Sequence, residues 1–308
     1  MRQFLLDRAL SPDRRTSRLF RLLASGVARA NDGLVRYRLN GRLLELPLSH
    51  DLPRNRHVFP TYSDNLRRLA MAVRRALGRL VLVDVGANVG DSWALASDPT
   101  TPGDVYLLVE GSPRWFALLE RNTGADRHVT RVRALLSDQS GEADAGFVVE
   151  DGNGRVVAGS ERVRFETLDE VVERHPAFRE ANLLKIDVEG WDERVLRGAP
   201  RLLESARPTL LFEHQPRLIA AMGGDDRTVF HALAARGYGR FMLYDNRGYL
   251  LATLAAADGD RLEELLRYAR MQPDCYYDVC AIHDAHTALR DAFLSDERAF
   301  YSALEHRP

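Results

Sequence analysis

The chain predicts an α/β fold, a doubly wound and mostly parallel sheet with helices on both faces. Three observations carry that prediction. Short apolar runs of strand length, at 80–85, 105–109, 131–136, 183–186 and 209–212, alternate with segments of helical periodicity. The first run feeds a glycine turn, Val83-Asp-Val-Gly-Ala-Asn-Val-Gly90, that opens a helix. Five runs end in or beside a residue able to do chemistry: Asp84, Glu110, Ser137-Asp138, Asp187 and Glu213-His214. In open α/β sheets ligands bind outside the carboxyl ends of the strands, so five such ends point to one shared cleft.

Taken in order, residues 1–30 are arginine-rich, with Phe4, Leu5, Leu6, Leu19, Phe20, Leu22 and Leu23 interleaved. They lack a secretory h-region and read as one or two short helices packed on the body with arginines in water. A transit-like or membrane-surface helix is the competing reading. Residues 34–39 and 42–46 alternate about Asn40-Gly41, a hairpin signature. Pro47, Pro53 and Pro60 mark an extended connector. From Ser63, the spacing of Leu66, Leu69, Ala70, Val73 and Leu77 predicts a helix stopped by Gly78. Helices are also expected at 115–121 and 192–197. The Gly-rich, polar stretch 142–161 reads as an irregular insertion or mobile loop. Runs at 240–244, 249–254 and 276–283 suggest an antiparallel edge, and a charged helix follows from Ala285. The expected organisation is an accessory segment at 1–60, a main domain at 61–283 and a terminal helix at 284–308.

Composition bounds the function. The 308 residues are 45% apolar, enough for a real core, which excludes wholesale disorder. No run suits a membrane span, and a cytoplasmic protein is expected. Cys275 and Cys280 cannot make a disulfide framework. A net charge of −1 argues against a nucleic-acid binder. Residues 1–42 nonetheless carry a balance of +7, leaving −8 over the rest, so the N-terminus could dock an anionic partner or a membrane surface. Forty-two of the 43 basic residues are arginine, and the lone lysine is Lys185.

The glycine turn decides the cofactor class. A dinucleotide fold wants G-x-G-x-x-G, and here the middle glycine is missing. Asp84 and Asp91 flank the turn, and carboxylates repel a phosphate by about 4 kcal/mol at 4 Å for an effective dielectric of about 20. S-adenosylmethionine, with an ammonium, a sulfonium and no phosphate, fits better. An NAD(P)-dependent oxidoreductase is therefore the weaker reading, as is a cofactor-binding module without catalysis.

VDVGANVGDS (83–92), VEGSP (109–113), ALLSDQSGE (134–142), ETLDEVV (166–172), LLKIDVEGWDERVLRGA (183–199) and RPTLLFEHQP (207–216) resemble the FkbM-type methyltransferases, which use S-adenosylmethionine. The resemblance implies a class I methyltransferase (Rossmann-like) doubly wound seven-stranded sheet with an antiparallel edge strand, here plus an N-terminal helical and hairpin extension. It implies that Asp84, Gly86, Ala87, Asn88 and Gly90 hold the methionine end of the cofactor and Glu110 the ribose. Ser112, Ser137 and Asp138 would surround the adenine, and Tyr62 and Asn65 would close over the cofactor. By the same resemblance the acceptor is a small molecule, a sugar or polyketide-type natural-product intermediate, methylated on oxygen, with nitrogen as the alternative.

An alcohol acceptor must lose a proton, which calls for a base. Two routes follow from Asp187, Glu213 and His214. In the favoured one His214 is the general base, oriented by a carboxylate. In the other, the three residues bind a divalent cation that lowers the acceptor's pKa. Glu189 reads as a helix-start acid, Trp191 as packing or a substrate platform, and His50, Asp51 and His57 as candidates for the acceptor pocket. Lys185 is expected in a tight position near Asp187 or the acceptor, with a part in catalysis.

Overall fold

The computed structural model describes residues 1–98, 100, 101, 103–150 and 153–306. Thirteen strands are described: β1 (Leu34–Leu39), β2 (Arg42–Pro47), β3 (Val81–Val85), β4 (Val105–Val109), β5 (Val129–Val132), β6 (Leu135–Leu136), β7 (Gly141–Glu150), β8 (Asn153–Glu166), β9 (Leu183–Ile186), β10 (Thr209–His214), β11 (Arg240–Asp245), β12 (Leu250–Ala255) and β13 (Tyr277–Ala281). Eight form the central sheet in the order β12-β11-β13-β10-β9-β3-β4-β5. The run from β10 to β5 is parallel, while β13 and β12 are antiparallel to their neighbours. The expected seven strands thus gain an eighth, because β12 pairs with the outer side of β11.

The parallel strands read as unbroken apolar runs because both their faces are covered. Strand parity divides their side chains between two cores. Leu82, Leu108, Leu183, Leu211, Met242 and Cys280 face one core, with Leu66, Leu69, Trp93, Trp115 and Phe293 from the covering helices. Val83, Leu107, Leu184, Ile186, Phe212 and Val279 face the other, under Leu168, Val195, Leu202, Phe230 and Leu266. After β3 the chain builds outward to β5, then returns to place β9 on the other side of β3. That reversal between β3 and β9 opens the crevice where such folds bind ligands.

The helix Asp64–Leu77 ends on Gly78, whose φ of 80° is the left-handed cap expected there. Its Arg68 pairs with the buried Glu297 of the terminal helix Thr287–Glu305 and lies 4.0 Å over the Phe300 ring. β1 and β2 turn through Asn40 and Gly41, both at positive φ. The helices Arg2–Ala9 and Arg14–Ala30 pack on the body through Leu5, Leu6 and Ala24. The second also turns Leu19, Leu22 and Leu23 outward while burying Ser17.

Two sequence expectations change. Of the stretch 142–161, residues 151 and 152 lie outside the described residues, and the rest is not irregular: β7 and β8 pair as a long antiparallel ladder, joined by β6 into a second small sheet. Opposite charges pair across it, Glu142 facing Arg164 and Asp144 facing Arg162 in register. The opposite face of β7 carries only Gly141 and Ala143 there, and the register shifts between Ala145 and Gly146, so the period-two apolar pattern that betrays a half-buried strand is weak. The run 131–136 divides as well, into β5 at the edge of the main sheet and β6 in the small one. Among the described residues no helix is long and apolar enough to cross a membrane.

Candidate active site

A cleft of about 250 Å³ opens over the carboxyl ends of β3, β4, β9 and β10. Of the residues expected to form a site, Tyr62, Asn65, Gly86, Asn88, Glu110, Lys185, Asp187 and Glu213 line it. Strand parity explains the convergence. Asp84, Lys185, Glu213 and Asp278 share the face of Leu82, Leu183, Leu211 and Cys280. Asp84 and Lys185 are register partners on adjacent strands.

Lys185 sits at the centre. Its Nζ lies 3.4 Å from Oδ1 of Asp84 and 3.3 Å from Oδ2 of Asp187. Burial alone would lower the lysine's pKa, but the two carboxylates outweigh it and hold the ammonium firmly charged. Asp84 is fully buried beneath it, and among the described residues no group other than Lys185 reaches its oxygens. Burial pushes Asp84 up to about 6 despite the Lys185 charge, with Asp91 and Asp187 adding to the rise. The expected place of Asp84 against the cofactor is therefore corrected: Lys185, Asp91 and Asp187 line the cleft above it.

Gly86 makes the turn feasible. Its φ is +82°, and a Cβ there would stand 1.9 Å from the Asp187 carbonyl oxygen. Glu110 accepts backbone N–H bonds from Asn88 (2.9 Å) and Ser112 (2.7 Å). Burial still pushes it up to about 7. Ala87, Gly90 and Ser112 serve the scaffold instead of the cleft. The Ala87 amide is spent on Val109, and Gly90 packs under Leu119 and Thr123. The Ser112 side chain caps the helix Pro113–Thr123. Ser137 and Asp138 also lie outside the lining. Asp138 accepts from the Ser137 hydroxyl and pairs with Arg197 at 3.4 Å and Arg194 at 3.9 Å. Gly111, Ala134, Leu135 and Leu136 occupy that end of the cleft.

His214 is the largest correction. It follows Glu213 on β10 and so points through the opposite face of the sheet, onto Phe230 at a ring distance of 5.0 Å. Burial drives its pKa down to about 3, so the ring stays neutral at physiological pH, and it is absent from the cleft lining. Neither as base nor as metal ligand can it join Asp187 and Glu213. In its place stands Glu189: Asp187, Glu189 and Glu213 offer oxygens all within 4.8 Å of one another. Gln215 bridges two of them, donating Nε2 to Glu189 at 3.0 Å and to Glu213. Burial, then Asp187, Glu189 and Asp192, raise Glu213 well above the ordinary carboxylate range.

The cleft also holds residues the sequence did not single out for it, Asp278, Tyr276 and Asn246, while His50 and Asp51 line it as suggested and His57 does not. Asp278 accepts from Asn65 Nδ2 at 2.9 Å and is pushed up to about 7, chiefly by burial. Trp191 lines the cleft too and stacks on Phe165 with ring centres 6.1 Å apart. Seven carboxyl groups thus border the space, Asp51, Asp91, Glu110, Asp187, Glu189, Glu213 and Asp278, against the single ammonium of Lys185.

Strand order and this acid-lined cleft at the switch point define a Rossmann-like α/β fold with its ligand site at the carboxyl ends of the parallel strands. The family model for the methyltransferase FkbM domain matches residues 84–239, just over half of the chain, and the chain belongs to that family. It is 28% identical over 137 residues to the hexuronic acid methyltransferase AglP of Haloferax volcanii, covering 44% of this chain and 56% of that protein. The chain thus spans about half the length of that relative. Similar solved structures include a methyltransferase FkbM from Methylobacillus flagellatus KT (TM-score 0.35, 14% identity, 65% of this chain and 43% of that one). An O-methyltransferase from Bacillus cereus in complex with SAH is another (TM-score 0.40, 11% identity, 71% and 81%).

Proposed function

We propose that this methyltransferase moves the methyl group of S-adenosylmethionine to a hydroxyl oxygen of a small molecule, a sugar or a natural-product intermediate. The observation that carries the cofactor is the acidity of the cleft: of its seven bordering carboxyl groups, Glu110, Glu213 and Asp278 are shifted toward the neutral form, and the other four still outnumber the one ammonium, which suits a cationic ligand and opposes a pyrophosphate. Glu110, whose oxygens converge beside the Asn88 and Ser112 amides, would take the ribose hydroxyls. Asp91, Asp187 and the loop at Gly86 and Asn88 would take the cationic amino-acid end, with Tyr62 and Asn65 closing that side. Bound there, the sulfonium supplies an already activated methyl group.

What remains for this chain is alignment and proton removal. Glu213 is the base we assign in place of His214. A carboxylate raised by burial and by its acidic neighbours is a stronger base than an ordinary one, and an alcohol needs that help where an amine does not. Lys185 orients Asp187 beside it. Support for a sugar acceptor comes from the resemblance to the Haloferax enzyme, which by its name acts on a hexuronic acid. The arginines and outward leucines of Arg14–Ala30 suit docking to an anionic surface.

Calorimetric titration tests the reading: S-adenosylmethionine binds and a nicotinamide dinucleotide does not. Binding of the dinucleotide alone would sink it. A methyl-transfer assay on candidate alcohols, with and without chelator, then checks the metal-free base; loss of turnover with chelator would reassign Asp187, Glu189 and Glu213 to a cation.

A further inference from the structure

Outside the inner cleft lies a second, wider chamber of about 940 Å³. The two share Asp51, Asn55, Tyr62, Glu189, Asn246 and Tyr276 as walls, so they adjoin. Its charge differs from that of the inner end. Arg54, Arg217 and Arg247 border the outer chamber, where the inner cleft has only Lys185. Arg54 is engaged by Asp51 at 3.5 Å. Arg217 and Arg247 have no carboxylate partner among the described residues, and the Arg247 guanidinium is laid over the Phe59 ring at 4.7 Å. Asp274 also lines the chamber, with the shared Asp51 and Glu189, so three carboxyl and three guanidinium groups border it. From the inner cleft to the outer chamber the walls therefore change from an excess of carboxylates to a balance that includes two uncommitted guanidinium groups.

An acceptor without charge gains nothing from that gradient. One with a hydroxyl at one end and an anion at the other is sorted by it: the anion is disfavoured among the clustered acids of the inner cleft and held by planar, forked donors made for carboxylate and phosphate oxygens. We propose that the outer chamber is a binding site for the anionic group of the acceptor, a carboxylate or phosphate, and that Arg217 and Arg247 hold it while the hydroxyl enters the inner cleft. This rests on the methyltransferase reading above and adds the substrate class and its orientation.

The test uses the full chain saturated with S-adenosylhomocysteine and three probes: D-glucuronate, glucose 1-phosphate and methyl glucoside. Ligand-observed NMR titration should show one anionic probe binding at least about tenfold more tightly than methyl glucoside, the scale of one charge-assisted hydrogen bond. Whichever anion binds identifies carboxylate or phosphate as the group. In Arg217→Gln and Arg247→Gln that advantage should fall to within about threefold of the uncharged probe, with S-adenosylhomocysteine affinity unchanged. Equal binding of all three probes, or an anion preference that survives both substitutions, would overturn the proposal. If S-adenosylhomocysteine itself does not bind, the methyltransferase reading fails first, so the two failures are distinct.

Discussion

Replacing Lys185 by Met removes the ammonium that lies 3.4 Å from Asp84 and 3.3 Å from Asp187. Asp187 is partly open to water and re-solvates at small cost. Asp84 cannot, because it is fully buried and, among the described residues, has no polar partner besides Lys185. With Lys185 present its pKa is about 6, set by burial against the lysine's pull; without it the pKa rises further. Since this folded-state value is raised, the associated stability is present at low pH and lost as pH climbs through it. Wild type ceases to lose stability through Asp84 once the group is ionised, above about pH 6. The variant keeps losing about 1.4 kcal/mol per pH unit beyond that point, because its native state still holds the proton. Between pH 6 and pH 8 the deficit should therefore widen by up to about 3 kcal/mol, near the cost of stranding a buried charge. Urea unfolding at pH 6, 7 and 8 measures it, and Asp84→Asn added to Lys185→Met should remove the pH-dependent part. A deficit that stays flat across this range would refute the pairing.

Gly86→Ala forces a Cβ toward the Asp187 carbonyl at a φ of +82°, so it should cost more than the roughly 1–2 kcal/mol of the left-handed backbone alone. Thermal melting should fall by several degrees, and a wild-type melt with wild-type turnover would refute the close approach. Glu213, raised well above the carboxylate range, should give a turnover that climbs with pH as it deprotonates. Glu213→Gln should lower turnover by about 10²–10⁴-fold and erase that climb, whereas a retained pH profile would acquit Glu213 as the base. On the N-terminal helix, Leu22 is 69% exposed beside arginines, so the chain should sediment with anionic vesicles and Leu22→Glu should not. Equal recovery on neutral vesicles would count against an anionic surface, and no recovery on either against a lipid one.

Much of the cleft was legible because its residues lie where parallel strands end, and a strand end can be read from an apolar run meeting an acid. Asp187, Glu110 and Glu213 were found that way. His214 was misplaced by one residue's worth of geometry: neighbours on a strand face opposite sides, and only Leu211 and Phe212 falling into different cores shows which side is the cleft. Asp278 and Tyr276 were missed for a topological reason. They lie at the start of β13, which runs antiparallel between β10 and β11, so its beginning meets the carboxyl ends of its neighbours. A sequence read for strand ends passes over them. Asp138 sits beside the expected position, but Arg194 and Arg197, one and two turns along another helix, draw it away, and charge pairs between elements leave no local signature.

Why a lysine survives at 185 in a chain that otherwise uses arginine follows from the same geometry. Adjacent parallel strands place the residue beside Asp84 with only the width of one ladder between them. A compact ammonium with three donors can bridge Asp84 below and Asp187 above, both just over 3 Å away. A guanidinium brings five donors in a rigid plane, and this buried spot offers two carboxylates on opposite sides, so some N–H groups would be left unpaired at about 1–3 kcal/mol each. On the surface, where arginine prevails, either cation is solvated. Between Asp84 and Asp187 the charge must be small enough to touch both acids at once.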